Sequence, residues 1–92
     1  MRQDNRLPRV LHALLHLSDM KDPATSEHLA GMLNTNAAVV RRTMAGLRDR
    51  GILTSIKGHG GGWQLARPLE KITLAEIYQA LGATAFIFFT QT

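Results

Sequence analysis

The feature that most restricts the fold of this chain is a change of hydrophobic period at Gly51. Before Gly51, apolar residues recur at steps of three and four, which is the period of helices that bury one face. After it, two short segments rich in β-branched and aromatic residues, 52–57 and 62–66, flank a glycine-rich stretch. The sequence therefore predicts a group of helices followed by a β-hairpin.

Two helices are predicted in the first third of the chain. The first spans 8–20, where leucine and valine side chains recur on one face. The second begins at Thr25 or Ser26, because either hydroxyl can accept a hydrogen bond from the free N–H groups of a first helical turn. It ends before the polar turn 34–36, which consists of two asparagines and a threonine.

A third helix is predicted over 36–50. Asn36 is suited to cap its first turn, and Gly51 is suited to end it. Two helices separated by a short polar turn, the second ended by glycine, are typical of a helix-turn-helix. The pattern therefore places a helix-turn-helix directly before the hairpin.

The hairpin and one further helix complete the predicted fold. Arg67-Pro68 ends the hairpin, because proline cannot continue a ladder of hydrogen bonds. Thr73 and Glu76 have the spacing of a capping box and open a helix that runs to about Leu81. The predicted fold class is mainly α with a small β-hairpin, a winged helix-turn-helix domain over 1–82. Residues 83–92 are predicted to form an apolar C-terminal tail.

Positive charge is concentrated in the third predicted helix. Lys and Arg outnumber Asp and Glu by 11 to 7, a net charge of +4, and residues 41–50 hold four arginines and one aspartate. At about 100° per residue, one face of this helix is apolar and is predicted to enter the core. These core residues are Ala37, Val40, Thr43, Met44 and Leu47. The opposite face consists of Ala38, Arg41, Arg42, Ala45 and Asp49, with Arg48 at its border.

This arginine face predicts a helix that reads DNA. Small residues allow a helix backbone to approach closely, and the guanidinium fork of arginine matches guanine edges and phosphates. The predicted wing, 57–63, supplies a second contact, because Lys57 and His59 lie in a glycine-rich stretch that can follow a phosphate backbone. Trp63, the only tryptophan, is expected to pack the hairpin onto the core rather than stack on a ligand.

The sequence supports a catalytic site or a metal site less well than it supports DNA binding. The chain has no cysteine, which excludes disulfides, thiolate metal sites and a cysteine nucleophile. The run 59–63 is similar to an esterase oxyanion-hole signature, but no serine lies on the G-x-S-x-G turn which that chemistry requires. His12 and His16 have helical metal-ligand spacing, yet without a third ligand nearby we interpret the pair as structural or solvent-facing. We therefore predict no enzymatic activity, no cofactor and no metal site.

The recognition-helix and wing segments together carry a family resemblance. The residues Leu47-Arg48-x-x-Gly51-Ile52-Leu53, followed by 57–65 (KGHGGGWQL), resemble the winged-helix transcriptional regulators typified by IscR, NsrR and CymR. The similarity covers roughly 6–82. It implies a bacterial transcription factor, in most members a repressor, that binds palindromic operators as a homodimer.

The resemblance also implies roles for individual residues and shows where this sequence differs from the family. Asn36 takes the place of the usual serine at the start of the recognition helix. Arg41 takes a position that influences operator choice, and Lys57 takes that of the wing residue which reaches the minor groove. Ala38 and Val39 stand where polar and tyrosine residues are common, so the resemblance does not carry the corresponding backbone contacts over to these two positions. The candidate DNA-binding residues are Asn36, Ala38, Arg41, Arg42, Ala45, Arg48, Lys57, Gly58, His59 and Gly60.

The C-terminal part departs from that family. Cluster-ligating members carry three cysteines beyond the helix that follows the wing, and this sequence has none. We also expect no long dimerisation helix within residues 83–92. The apolar run 85–89 is interpreted as a partner surface or the start of a dimerisation element, with folding back onto the first helix as the alternative.

The expected partners are double-stranded DNA and a second copy of the chain. Without a signal-peptide pattern or a long apolar segment, the sequence favours a cytoplasmic protein that does not bind membranes. Two other functions stay open: a winged-helix module that binds a protein without specific DNA binding, and a module that binds RNA or any polyanion.

Overall fold

The computed structural model describes residues 6–81, which form four α-helices, a short 3₁₀ helix and a two-stranded antiparallel hairpin. The elements follow in the order α1 (Arg6–Asp19), α2 (Ser26–Leu33), α3 (Ala37–Asp49), β1 (Leu53–Ile56), β2 (Gly62–Leu65), the 3₁₀ helix (Leu69–Lys71) and α4 (Leu74–Leu81). The predicted fold class is confirmed. The predicted tail, 83–92, lies outside the described residues.

Polar side chains set the boundaries of the two helices in the helix-turn-helix. Thr25 accepts a hydrogen bond from the His28 amide at 3.0 Å, and Asn36 accepts one from the Val39 amide at 3.0 Å. Asn34 closes α2 in the left-handed conformation, at φ 58°. The predicted caps of both helices are therefore confirmed.

The hairpin is shorter than the sequence suggested. β1 and β2 pair four residues each, with Leu53 opposite Leu65 and Ile56 opposite Gly62. Ile52 was expected in the first strand but precedes it, although its side chain is fully buried and its carbonyl accepts a hydrogen bond from Ala66 at 2.9 Å. A short apolar segment does not reveal where ladder pairing stops and a buried turn begins.

The core lies between the helices and one side of the hairpin. α3 packs against α2, α4 and β1, while α1 packs against α2, α4 and β2. Val40, Met44 and Leu47 are buried as predicted. Ala37 and Thr43, also expected in the core, are only half-buried. α3 is thus the element that most of the domain holds in place.

One close contact of α3 was not predicted, and one residue of α3 differs from its predicted exposure. At Gly46 a Cβ atom would lie 2.9 Å from the carbonyl oxygen of Ala80, so the two helices touch through their backbones. The neighbouring Ala45 was predicted on the exposed face. It is half-buried and packs against the core instead.

An ion pair connects the end of the hairpin to α4. Arg67 donates to both carboxylate oxygens of Glu76, with Nη1 at 3.2 Å from Oε2, and Arg67 also donates to the carbonyls of Lys71 and Gly51. The Thr73–Glu76 capping box is confirmed, with hydrogen bonds of 2.9 and 3.1 Å. The hydrogen bonds from Arg67, and then from Thr73, lower the pKa of Glu76 from the ordinary value of 4.5 to about 2.

No helix within residues 6–81 is long and apolar enough to cross a bilayer.

Candidate nucleic-acid interface

The outward face of α3 is basic. Ala38, Arg41, Arg42 and Arg48 are all exposed on the side of the helix away from Val40 and the core. This placement agrees with the arrangement expected from the helical period. Ala45 is the exception described above. The face offers arginine guanidinium groups together with a small side chain near the start of the helix.

The hairpin tip, residues 57–60, projects beyond the two strands. Lys57, Gly58, His59 and Gly60 are all exposed. Gly58 and Gly60 have φ values of 91° and 76°, a conformation that side chains other than glycine rarely adopt. Because β1 packs directly against α3, the tip belongs to an element whose position relative to the arginine face is fixed.

The next two glycines have a different role from those at the tip. A Cβ atom on Gly61 would lie 2.2 Å from the Ile56 carbonyl oxygen, and one on Gly62 would lie 2.5 Å from the Ala24 carbonyl oxygen. Trp63 and Ala24 exchange backbone hydrogen bonds of 2.8 and 3.0 Å. The hairpin is therefore pinned to the segment that precedes α2. The exposed half and the packed half of the glycine run cannot be distinguished by residue type, since both consist of glycine.

Trp63 joins the hairpin to the helix-turn-helix, so its predicted packing role is confirmed. Its ring is buried, and its indole nitrogen donates a hydrogen bond to Ser26 Oγ at 2.9 Å. The guanidinium carbon of Arg48 lies 5.9 Å from the centre of the Trp63 ring, within the range of a cation–π contact. Nη2 of Arg48 also lies 3.4 Å from Oδ1 of Asp49. These contacts place Arg48 at the junction of α3 and the hairpin.

Asn36 uses only part of its hydrogen-bonding capacity for the helix cap. Its Oδ1 atom accepts from the Val39 amide. The side-chain amide has two N–H donors besides that oxygen. Asn36 is exposed, so the cap fixes its side chain at the start of α3 while the amide group can still donate to a phosphate or base.

An ion pair between the two helices was not predicted. Arg41 Nη1 on α3 lies 3.5 Å from Glu27 Oε2 on α2, and both side chains are largely exposed. Within residues 6–81, Arg42 and Lys57 take part in no ion pair. No sequence pattern connects two residues that are 14 positions apart on different helices.

The histidine contact in the structure is not the one that the sequence spacing suggested. His16 does not form its contact with His12; its Nε2 atom lies 3.1 Å from Nε2 of His28, and the two rings stack with centroids 5.2 Å apart. The contact links α1 to α2. Among the described residues no group of three or more His, Cys, Asp or Glu side chains is arranged to hold a metal ion.

Comparison with known proteins gives a family match over nearly the whole chain. The family model for Rrf2, described as an iron-dependent transcriptional regulator, matches residues 4–91. Two Bacillus subtilis proteins named as HTH-type transcriptional regulators are similar: YwnA, 37% identical over 78 residues, and YwgB, 31% identical over 83 residues. The matches cover 85% and 88% of this chain but 57% and 53% of those proteins, so the chain spans little more than half their length.

Solved structures support the fold. The IscR of T. potens superposes with a TM-score of 0.77, at 21% identity, over 91% of this chain and 63% of that one. CymR of B. subtilis, titled as the global cysteine regulator, gives a TM-score of 0.75 at 22% identity, over 88% of this chain and 64% of that one. At this identity the likeness establishes the winged-helix architecture.

The residues present do not fit an iron–sulfur cluster. The family description includes iron, and thiolates are the usual ligands of such clusters. This sequence contains no cysteine, and the described histidines and carboxylates form no group of three.

Proposed function

The chain belongs to the Rrf2 family of transcriptional regulators, and we propose that it binds operator DNA sequence-specifically, with α3 in the major groove and the wing, 57–63, alongside. The observation that carries the proposal is the exposed arginine face of α3 beside the exposed hairpin tip. A helix of this width fits the major groove, where each base pair presents a distinct pattern of donors and acceptors.

The contacts divide into two kinds. Ala38, Arg41 and Arg48 lie on the face that would enter the groove, where arginine pairs with guanine. Arg42, Lys57 and the tip are suited to phosphates, because their charge is exposed and takes part in no ion pair within residues 6–81. Asn36 would position the start of α3 through its side-chain amide. Ala45, being half-buried, would contribute spacing rather than a contact.

The assembly and regulatory sign are further parts of the proposal. We infer a homodimer that binds a palindromic operator and acts as a repressor in the cytoplasm, because the family resemblance implies each of these properties. Two copies of α3 would then reach half-sites about 34 Å apart, one turn of the duplex. Analytical ultracentrifugation checks the assembly, since a monomer at high concentration contradicts this part alone.

A mobility-shift titration tests the DNA-binding proposal. The probes are the DNA upstream of the gene that encodes the chain and a scrambled duplex of equal length and base composition. If the chain is a specific regulator, the first probe stays shifted as a complex in the presence of excess scrambled competitor. Equal retention of both probes would favour a general polyanion binder. Retention of neither would favour the alternative function, a winged-helix module that binds a protein.

A further inference from the structure

Among the described residues, Arg41 is the one arginine on the outward face of α3 that pairs with a carboxylate on another helix. Its Nη1 atom lies 3.5 Å from Glu27 Oε2. Glu27 lies in the first turn of α2, whose start is capped by Thr25, and Arg41 lies one turn into α3, whose start is capped by Asn36. Both ends of the ion pair therefore stand on helices that are well anchored.

The pair acts on the direction of the arginine side chain rather than on the stability of the fold. The exposed fractions of the Arg41 and Glu27 side chains are 57% and 73%, and ion pairs this exposed contribute little to folding. However, a flexible arginine loses rotamer freedom when it binds, and a partner that already limits this freedom reduces the loss. Glu27 is such a partner.

The geometry leaves part of the guanidinium group available. Arginine has five N–H donors arranged in a planar fork, and only Nη1 faces Glu27. Guanine presents the O6 and N7 acceptors in the major groove, and two donors of one guanidinium match them together. A guanidinium anchored at one corner by a carboxylate can present its remaining donors to a guanine in this way.

We propose that Glu27 is a positioning residue that aims Arg41 at a guanine of the operator half-site. The proposal rests on the proposed function and deepens it, since it names the base that Arg41 contacts and the residue that positions Arg41. Arg42 provides the contrast: it is adjacent in sequence and exposed, and within the described part of the chain it has no carboxylate partner. It is therefore suited to a phosphate.

An opposing explanation predicts a different result. If Glu27 only neutralises Arg41 and repels phosphates, its replacement by glutamine strengthens binding to all duplexes by the same factor. If Glu27 aims Arg41, the replacement weakens discrimination at one base pair. The two explanations therefore differ in whether the effect depends on the sequence of the DNA.

The test combines selection with affinity measurements. The wild-type chain, Glu27→Gln and Glu70→Gln are each used to select duplexes from a random-sequence library, and dissociation constants are then measured for the enriched duplex and for its single G·C to A·T variants. Glu70→Gln is the matched control, because it removes the same charge from the exposed 3₁₀ helix that packs on α1. Thermal unfolding of all three proteins checks that each is folded.

We expect Glu27→Gln to lose about tenfold discrimination at one guanine, within the range for a bidentate contact. Glu70→Gln should retain wild-type discrimination. Arg41→Lys, which keeps the charge but lacks the fork, should lose discrimination at the same guanine. A uniform gain in affinity for Glu27→Gln, or unchanged discrimination, would overturn the role of Glu27. A wild-type chain that enriches no sequence would instead contradict the proposed function itself.

Discussion

The indole nitrogen of Trp63 lies 2.9 Å from the hydroxyl oxygen of Ser26, and both residues are buried. Trp63 is on the second strand of the hairpin and Ser26 opens the first helix of the helix-turn-helix. The hydrogen bond therefore ties the wing to the helix-turn-helix. Together with the backbone bridge between Trp63 and Ala24, it makes the two proposed DNA contacts parts of one rigid surface.

Replacing Ser26 with alanine should destabilise the domain. The substitution leaves the buried indole N–H without its acceptor, and an unsatisfied buried donor costs about 1–3 kcal/mol. Urea unfolding followed by the fluorescence of Trp63, the only tryptophan, measures the change. Ser18→Ala, at an exposed position on α1, is the control and should have little effect. Equal stability of the two variants would show that the hydrogen bond contributes nothing.

The two halves of the glycine run should respond differently to alanine. At Gly60 a Cβ atom would contact nothing within 4 Å, so Gly60→Ala should lower the free energy of unfolding only through its positive φ, by about 1 kcal/mol. Gly62→Ala has a positive φ of 152° and also places its Cβ 2.5 Å from the Ala24 carbonyl oxygen. We expect it to cost about 1–3 kcal/mol more than Gly60→Ala, in the range for overpacked sites. The free energies of unfolding of both variants provide the comparison, and a smaller cost at Gly62 would contradict the pinned hairpin.

Stability should fall in acid because of Glu76. Its carboxyl group has a pKa of about 2 in the folded chain and an ordinary value of 4.5 when unfolded. The folded state therefore holds the proton less tightly, so this contribution is present above about pH 4.5 and is lost as the pH falls toward 2. Unfolding titrations between pH 6 and pH 2, read in steps of about half a unit, follow the loss.

Glu76→Gln is the matched variant for this acid effect. Glutamine retains the spacing of the capping box but carries no titrating charge. We expect the variant to be less stable than the wild type at pH 6, with the difference shrinking as the pH falls toward 2. If the difference is the same across the whole range, the Arg67–Glu76 pair is not the source of the acid sensitivity.

Removing the charge of Lys57 should change the salt dependence of DNA binding. A phosphate contact releases counterions, so Lys57→Ala should reduce the slope of log K against log salt by about 1 and weaken all duplexes to a similar extent. Lys71→Ala on the exposed 3₁₀ helix is the control and should leave the slope unchanged. A change in base preference with an unaltered slope would instead indicate that Lys57 contacts a base and not a phosphate.

Local signals predicted most of the fold. The caps at Thr25 and Asn36, the box formed by Thr73 and Glu76, and the buried side of α3 all follow from residue type and helical period. The backbone contact of α4 with Gly46 does not, and neither does the partial burial of Ala45, which was predicted on the exposed face. Both depend on how other elements of the domain pack against α3, which the helical period alone does not indicate.

The exposure of the arginine face and of the hairpin tip was predicted, but the side-chain contacts of α3 with other elements were not. The arginines of α3 and the exposed tip were located from charge and glycine content. Glu27 was missed, because an ion pair between α2 and α3 depends on their packing and on side-chain direction. The same applies to the His16–His28 contact, since the sequence indicated only the spacing of His12 and His16.

The affinity ratio between an enriched duplex and a scrambled one tests sequence-specific binding most directly. Fluorescence anisotropy at about 0.15 M salt measures both dissociation constants under the same conditions, which is necessary because salt changes each of them. We predict a ratio of about a thousand or more, as is typical of specific regulators. Equal dissociation constants for the two duplexes would contradict the account.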